Sequence, residues 1–360
     1  MSPRINRIQK LRQKLVELET DGMLVSQPEN RYYLSGFTGS AGFLLITPGD
    51  TVLATDFRYT EQARIQAPDY RIFQTTGDMA DWLPRLLAEL NCNRLGFEAE
   101  DITFATYQRF TDIFSKANLQ PRLVSTSGLV ESLRAIKEPE EIKLITEAIE
   151  ITDDAFQYIE TVFQDGITEK DLAWKIERFL RERGGEAIPF DIIVGSGPNA
   201  ALPHARPSTR TIGAGEPVVI DIGAKCGGYS SDMTRTFCAG RPGDKLIKVY
   251  DTALRAQQAA INSIKAGTTG EQADSLARTI IKQAGYDEAF GHALGHGIGL
   301  ATHEQPRLGP KSPEQLIDGM VFTIEPGIYL IGWGGVRIED DVVMESGKVR
   351  VISKARRNLV

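Results

Sequence analysis

The chain has 360 residues, 41% of them hydrophobic and 25% charged, and a formal net charge of −7. That length suits two domains better than one, and the composition is that of a soluble globular protein. The acidic balance argues against general nucleic-acid binding, which wants a basic face, and against attachment to anionic membrane.

The N-terminal run Met-Ser-Pro-Arg-Ile-Asn-Arg leads straight into a charged amphipathic segment with no apolar signal core. The longest apolar runs are too short to span a bilayer. Cys92, Cys226 and Cys238 are odd in number and lack C-x-x-C spacing. Three free thiols in a reducing, cytoplasmic setting are therefore expected.

Ile5, Ile8, Leu11, Leu15 and Leu18 recur at helical spacing, and Asp21-Gly22 ends that helix. A strand-like Met23-Leu24-Val25 follows, then Tyr32-Tyr33-Leu34 and the turn-rich Gly36-Phe37-Thr38-Gly39-Ser40. Gly42–Thr47 and Thr51–Thr55 read as two strands joined by Pro48-Gly49-Asp50. Strands and helices alternate to about Val124, which predicts a self-contained α/β domain over 1–124. It contains no histidine and no acidic cluster of ligand type, so no chemistry is expected there.

A linker at Ser125–Gly128 opens a second domain, 125–360. Pro139 stands at a helix start, and Ile142, Ile145, Ile149, Phe156 and Ile159 mark its apolar face. Thr168, with Asp171 three residues later, caps a second helix that ends at Gly184-Gly185. Strand-like segments fill Ile188 to Phe237. The pattern then repeats. Leu246, Val249, Ala253, Ala256, Ala260 and Ile264 mark a helix, Glu271–Ala284 another, and strands run to about Val351. Val218–Gly223 is similar to Phe322–Gly327, with Asp221 matching Glu325, and His204 and His303 each precede their carboxylate by about two dozen residues or fewer. An internal duplication is expected.

Two acidic pairs stand out. If Cys226-Gly227 form a two-residue turn, Asp221 faces Asp232 across a hairpin, and two opposed carboxylates want a cation between them. Alternatively, a bulge offsets them and each is a solvated strand end. Glu325 and Glu339 flank Gly332 symmetrically, and Glu325 interrupts an apolar run, so it needs a partner. That partner is Glu339 with a cation, or Arg337 in a salt bridge. All four histidines, His204, His292, His296 and His303, fall in one 100-residue window. His292 and His296 are spaced i, i+4, but Ala293 replaces the glutamate of a zinc-protease helix, and the surrounding glycines disfavour any helix. Four carboxylates and clustered imidazoles suit a two-metal hydrolase.

These residues resemble the pita-bread metallopeptidases, in particular the Xaa-Pro peptidases. The resemblance rests on Asp221-Ile222-Gly223 with Ser231–Phe237, Gly295–Gly299, Thr302-His303-Glu304, Phe322–Gly327 and Val336–Asp340. In the first domain it rests on Gly36–Ser40 and Asp56–Glu61. It covers nearly the whole chain.

The resemblance implies an α/β (α+β) fold class. A creatinase-like N-terminal α/β domain precedes a pita-bread domain with internal pseudo-twofold duplication. It implies two divalent ions held by Asp221, Asp232, His296, Glu325 and Glu339, with manganese expected and cobalt or zinc as alternatives. Glu325 would also shuttle a proton, and His303 would stabilise the oxyanion. His204, His292 and Arg337 would face the substrate. Short peptides with proline second and a homodimer are the implied partners. The implied activity is Xaa-Pro aminopeptidase, with strict Xaa-Pro dipeptidase (prolidase) as the alternative. A metal-free binding module or amidinohydrolase of the same fold is the remote alternative, and the full set of five ligand-type residues argues against it.

Overall fold

The computed structural model describes residues 3–118 and 121–359. The chain divides into a unit ending at Arg134 and a unit beginning at Ala135.

In the first unit, β1 (Gly22–Val25), β2 (Phe43–Ile46), β3 (Thr51–Thr55), β4 (Arg71–Gln74), β5 (Arg94–Glu98) and β6 (Arg122–Thr126) form one sheet in the order β4-β3-β2-β1-β5-β6. The β1–β2 and β2–β3 pairs are antiparallel, whereas β3–β4, β1–β5 and β5–β6 are parallel. Helices α1 (Pro3–Glu17), α2 (Pro28–Ser35), α3 (Thr60–Gln66), α4 (Met79–Glu89), α5 (Phe104–Lys116) and α6 (Glu131–Arg134) accompany it. Parallel neighbours need crossovers, which α3 and α5 supply between β3 and β4 and between β5 and β6. Trp82, Leu83 and Leu86 of α4 and Phe110 and Phe114 of α5 are buried with Leu24, Leu45, Val52 and Leu95 of the sheet. Each such side chain contributes roughly 1.5–3 kcal/mol on leaving water. The unit extends ten residues past the expected boundary at 124. A cut there would split β6, which pairs with β5 along its length from Arg94↔Arg122 to Glu98↔Thr126.

The second unit carries two helix hairpins: α7 (Pro139–Val162) with α8 (Glu169–Glu182), and α9 (Asp244–Ser263) with α10 (Gly270–Gln283). After the first come β7 (Ile193–Ser196), β8 (Pro217–Ile222), β9 (Lys225–Cys226), β10 (Tyr229–Ser230) and β11 (Met233–Cys238). After the second come β12 (Gly295–Gly297), β13 (Glu304–Leu308), β14 (Val321–Ile324), β15 (Gly327–Leu330), β16 (Gly334–Arg337), β17 (Asp340–Glu345) and β18 (Lys348–Val351). The main sheets are β11-β8-β7 and β13-β12-β14-β17-β18.

The duplication is visible in matched detail. Thr168 caps α8 and bridges to Thr211, and Thr269 caps α10 and bridges to Gln315. Gly184 and Gly285 follow the two helices at positive φ. Alanines face the core on the second hairpin: Ala253, Ala256 and Ala260 on α9, and Ala273 and Ala277 on α10. Small side chains let the helices come close to each other and to Phe322, Ile324 and Val342 of the sheet.

The β8–β11 register corrects the sequence reading. Asp221 pairs with Thr234, not Asp232, and Cys226 pairs with Tyr229. The turn is therefore Gly227-Gly228, at φ of +54° and +80°. A two-residue turn of this hand needs positive φ at both central positions, which two glycines supply and Cys226 would resist. The other hairpin keeps its expected register through two successive ladders. Gly327 pairs with Arg337 and Ile324 with Asp340, so Glu325 falls opposite Glu339 in the gap between them.

Lys137 and Glu304 form an ion pair of 2.8 Å with side chains only 1% and 5% exposed. Replacing Lys137 with Met would remove the cationic partner of the Glu304 carboxylate in that interior. Lys137→Met should lower unfolding stability by about 3–5 kcal/mol, read as a shift of the urea midpoint at unchanged slope. A change below about 0.5 kcal/mol would mean the pair is relaxed by solvent.

Candidate metal centre

Four strand ends and the middle of a fifth strand of the second unit converge here. Asp221 lies near the end of β8, Asp232 just before β11, His296 in the middle of β12, Glu325 just after β14 and Glu339 just before β17. Asp221 is 8% exposed, Asp232 5% and Glu339 1%. The glycines around His296 have a steric cause. A Cβ on Gly295 would sit 2.0 Å from Thr323 O, and one on Gly297 2.0 Å from Gln305 O. Bare backbone is what lets β12 lie tightly between its neighbours.

His296 Nδ1 contacts Gly297 O at 3.1 Å. With the proton on Nδ1, Nε2 presents a lone pair towards the carboxylates. It lies 3.6 Å from Asp232 Oδ2 and 3.4 Å from Glu325 Oε1. One ligand atom each from Asp232, His296 and Glu339 falls within 4.8 Å of the others. Glu339 Oε2 accepts from Thr234 Oγ1 at 2.6 Å, and Glu325 Oε1 from Thr323 Oγ1 at 3.2 Å. Asp221 Oδ2 accepts from Arg337 Nη2 at 2.7 Å, while Asp221 Oδ1 is buried with no hydrogen-bond partner among the described residues.

All five expected ligand residues are thus together, and the chemistry of the set fits divalent cations. Four carboxylates face one guanidinium, a formal charge of −4 + 1 = −3. A buried carboxylate oxygen without a donor is expensive, and a cation removes that cost. Two dications would bring the set to +1. Five oxygen-rich and imidazole donors, with no thiolate, suit manganese or cobalt.

Burial, followed by the charges of Glu339, Asp221 and Glu325, raises the Asp232 carboxyl well above its ordinary range. Burial and Glu325 do the same to Glu339. Burial pushes Glu325 up to about 8, with Arg337 pulling the other way. Burial lowers His292 and His296 to about 4.

The remaining histidines sit around this cluster. The His303 ring lies 4.1 Å from that of His296, centroid to centroid, and His303 is itself exposed. His292 Nδ1 contacts Ala293 O at 2.8 Å and lies 4.0 Å from Glu325 Oε2. His204 is exposed, close enough that its charge opposes protonation of both His292 and His303.

Arg337 is 3% exposed. Its Nε donates to Thr234 Oγ1 at 3.0 Å, and Nη1 to Pro203 O at 3.1 Å and Tyr329 Oη at 2.8 Å. Together with the bond to Asp221, four of its five N–H groups are spent inside the protein. It pairs with Asp221 rather than Glu325.

Two residues escaped the sequence reading. Thr234 bridges Glu339 and Arg337. Tyr329 links Arg337 to His292, whose Nε2 lies 2.9 Å from the phenol oxygen. The one available signal for Tyr329 was alternation, since 325, 327 and 329 share a strand face.

The model of metallopeptidase family M24 matches residues 143–346, and that of the creatinase/prolidase N-terminal domain matches residues 7–136. The Xaa-Pro dipeptidase of Pyrococcus furiosus is 35% identical over 98% of this chain and 99% of its own length. The solved structure of an Xaa-Pro dipeptidase from Bacillus anthracis is 42% identical, with a TM-score of 0.95 and 99% of each chain covered. That of an X-Pro aminopeptidase from Thermotoga maritima is 36% identical, with a TM-score of 0.89 and 98% of each chain covered.

The raised carboxyls make a signed prediction for metal-free protein. Groups with a raised folded pKa keep protons that the unfolded chain has lost, so stability falls as pH rises towards about 8. His292 and His296 act in the opposite sense, chiefly below their ordinary 6.5. As pH rises above 6.5 this opposing effect, to which His303 adds, dies away and the raised carboxyls dominate. The Tm of chelated protein should fall between pH 6.5 and about 8, and added Mn2+ should abolish the fall. Parallel Tm profiles with and without Mn2+ would contradict it.

Proposed function

This chain belongs to metallopeptidase family M24 and, within it, to the Xaa-Pro peptidases; from that premise we propose that it is an Xaa-Pro aminopeptidase. It releases the N-terminal residue from short peptides whose second residue is proline. The observation that carries this reading is the largely buried set of four carboxylates, with His296 Nε2 3.6 Å from Asp232 and 3.4 Å from Glu325 and with one ligand atom each from Asp232, His296 and Glu339 within 4.8 Å of one another.

In this reading Asp221, Asp232, His296, Glu325 and Glu339 hold two divalent ions, manganese by preference and cobalt or zinc as alternatives. Such ions supply Lewis acidity and lower the pKa of water at the site. Glu325, besides holding metal, takes up and returns a proton at the reacting centre. His303 meets substrate as a neutral imidazole whose N–H stabilises the oxyanion that forms at the carbonyl before proline. His292 and His204 orient the peptide around the scissile bond. Arg337 moves from the expected substrate contact to a supporting role, because its donors are committed to Asp221, Tyr329, Thr234 and Pro203. The bond preceding proline is a tertiary amide with no N–H, so a site that demands a backbone donor there would fail. The protein is proposed to act in the cytoplasm, where its three free cysteines would stay reduced. It is proposed to act as a homodimer.

A strict dipeptidase is the second reading, favoured by the names of the relatives from P. furiosus and B. anthracis. Such an enzyme must recognise the carboxylate of the proline itself, and the guanidinium at this centre is already committed.

Turnover of Ala-Pro-Ala against Ala-Pro decides between the two. Chelation should abolish both activities and Mn2+ or Co2+ should restore them; full activity in verified metal-free protein would sink the metallopeptidase assignment of these residues. Comparable turnover of the tripeptide supports the aminopeptidase, and turnover of Ala-Pro alone supports the dipeptidase.

His303→Ala provides a separate check. It should lower kcat by about 10²–10³ with the metal content intact. Loss of an ion on that substitution would place His303 among the ligands.

A further inference from the structure

Glu169 opens helix α8 and is wholly buried, at 0% exposure. Its Oε1 accepts from Ser196 N at 2.8 Å, Ser196 Oγ at 2.7 Å and Asn199 Nδ2 at 3.0 Å. Its Oε2 accepts from Asn199 Nδ2 at 3.1 Å, Ser208 N at 3.0 Å and Ser208 Oγ at 2.6 Å. Burial alone would raise this carboxyl, but the donors of Ser208 and Ser196 outweigh it and the pKa is lowered.

The two serines frame residues 197–207, the segment that carries His204. The His204 ring is exposed and takes no hydrogen bond among the described residues, so its placement depends on the backbone of this segment. The middle of the segment is tied by Pro203 O to Arg337, which also grips Asp221.

The duplicated half shows that the fold does not require such a carboxylate. Lys170 N donates to Ser208 O, and Glu271 N donates to Ser312 O, so the matching position to Glu169 is Gly270. A Cβ there would lie 2.1 Å from Arg307 O and 2.6 Å from Ser312 Oγ. The second half closes this junction on bare backbone. The first half spreads it around a carboxylate with donors on both flanks of the histidine segment.

We propose that Glu169 is a positioning residue for the reaction: it clamps Ser196 and Ser208 and so fixes the segment from which His204 meets the peptide. The proposal rests on the reading of His204 as substrate-facing. Glu169 touches no substrate; it acts through His204.

The test uses the full-length, Mn2+-loaded protein with Ala-Pro-Ala or Ala-Pro, whichever is turned over faster. Losing hydrogen bonds to a charged group corresponds to roughly 10–100-fold. Glu169→Gln should lower kcat/KM by about that factor, mostly through KM, with Mn2+ content unchanged. Amide exchange over 197–207 should quicken in the metal-free variant as well. In a His204→Ala background, Glu169→Gln should add less than about two-fold, because the two act as one unit. Multiplying losses in the double variant, or a kcat/KM for Glu169→Gln equal to that of the parent, would overturn the clamp. If His204→Ala itself leaves kcat/KM unchanged, the substrate-facing reading fails and takes the clamp with it. If His204→Ala is impaired and Glu169→Gln is not, the clamp alone fails. Should Glu169→Gln not fold, Ser208→Ala decides in its place. It keeps the carboxylate and should lower kcat/KM by about three- to ten-fold, a loss absent when His204 is alanine.

Discussion

Mutual repulsion among Asp221, Asp232, Glu325 and Glu339 in a water-poor interior has to be offset by positive charge, and the surrounding elements are arranged to hold those groups in place meanwhile. Arg337 neutralises one carboxylate and is itself fixed by three oxygen atoms besides Asp221. Behind Glu339, the buried Asp340 takes Arg235 at 2.8 Å and Arg357 at 2.5 Å, with Gln257 and Ser353 completing its oxygens. That network pins β17 directly beside the ligand position. The centre is thus expensive without cations and stiff with or without them, which is what a preorganised site for charge development requires.

Much of this was legible in the sequence, and the failures have identifiable causes. The Glu325–Glu339 register could be read because Gly332 is the single centre of a symmetric hairpin, and both ladders follow it. The Asp221–Asp232 register was misread by one turn position, because Cys226-Gly227 and Gly227-Gly228 both qualify as turns by composition. Only the demand for two positive φ angles separates them. Asp232 nevertheless lies beside His296 and Glu339, from the break before β11. Thr234, Tyr329 and Glu169 could not be singled out. A hydroxyl or carboxylate whose partners are set by the folded chain looks no different in sequence from a solvated one. The first-unit boundary was placed early because a Ser/Thr/Gly cluster at 125–128 looks like a linker, whereas pairing with β5 keeps Thr126 in the sheet.

The two halves of the second unit share caps, bridges and glycines but differ where they carry their histidines. His204 stands on a segment gathered around Glu169. His303 precedes Glu304, whose side chain is buried against Lys137. A duplicated scaffold has been kept for packing, and its two histidine-bearing segments are secured by different charged anchors. Symmetry explains the architecture; departures from it mark the places where the halves have separate work.

The paired ladders of β14–β17 and β15–β16 also limit how this chain can vary in length. Side chains alternate faces with a period of two, so one residue added to a single arm between Glu325 and Glu339 would turn everything beyond it to the opposite side. The tip is different: Ile331 is 84% exposed, and Gly332 has open space around its Cα. Added residues are best accommodated at that tip, where a longer loop leaves the pairing of both arms unchanged. An alignment of distant sequences across this hairpin should be anchored on its arms, with gaps opened only between Leu330 and Gly334.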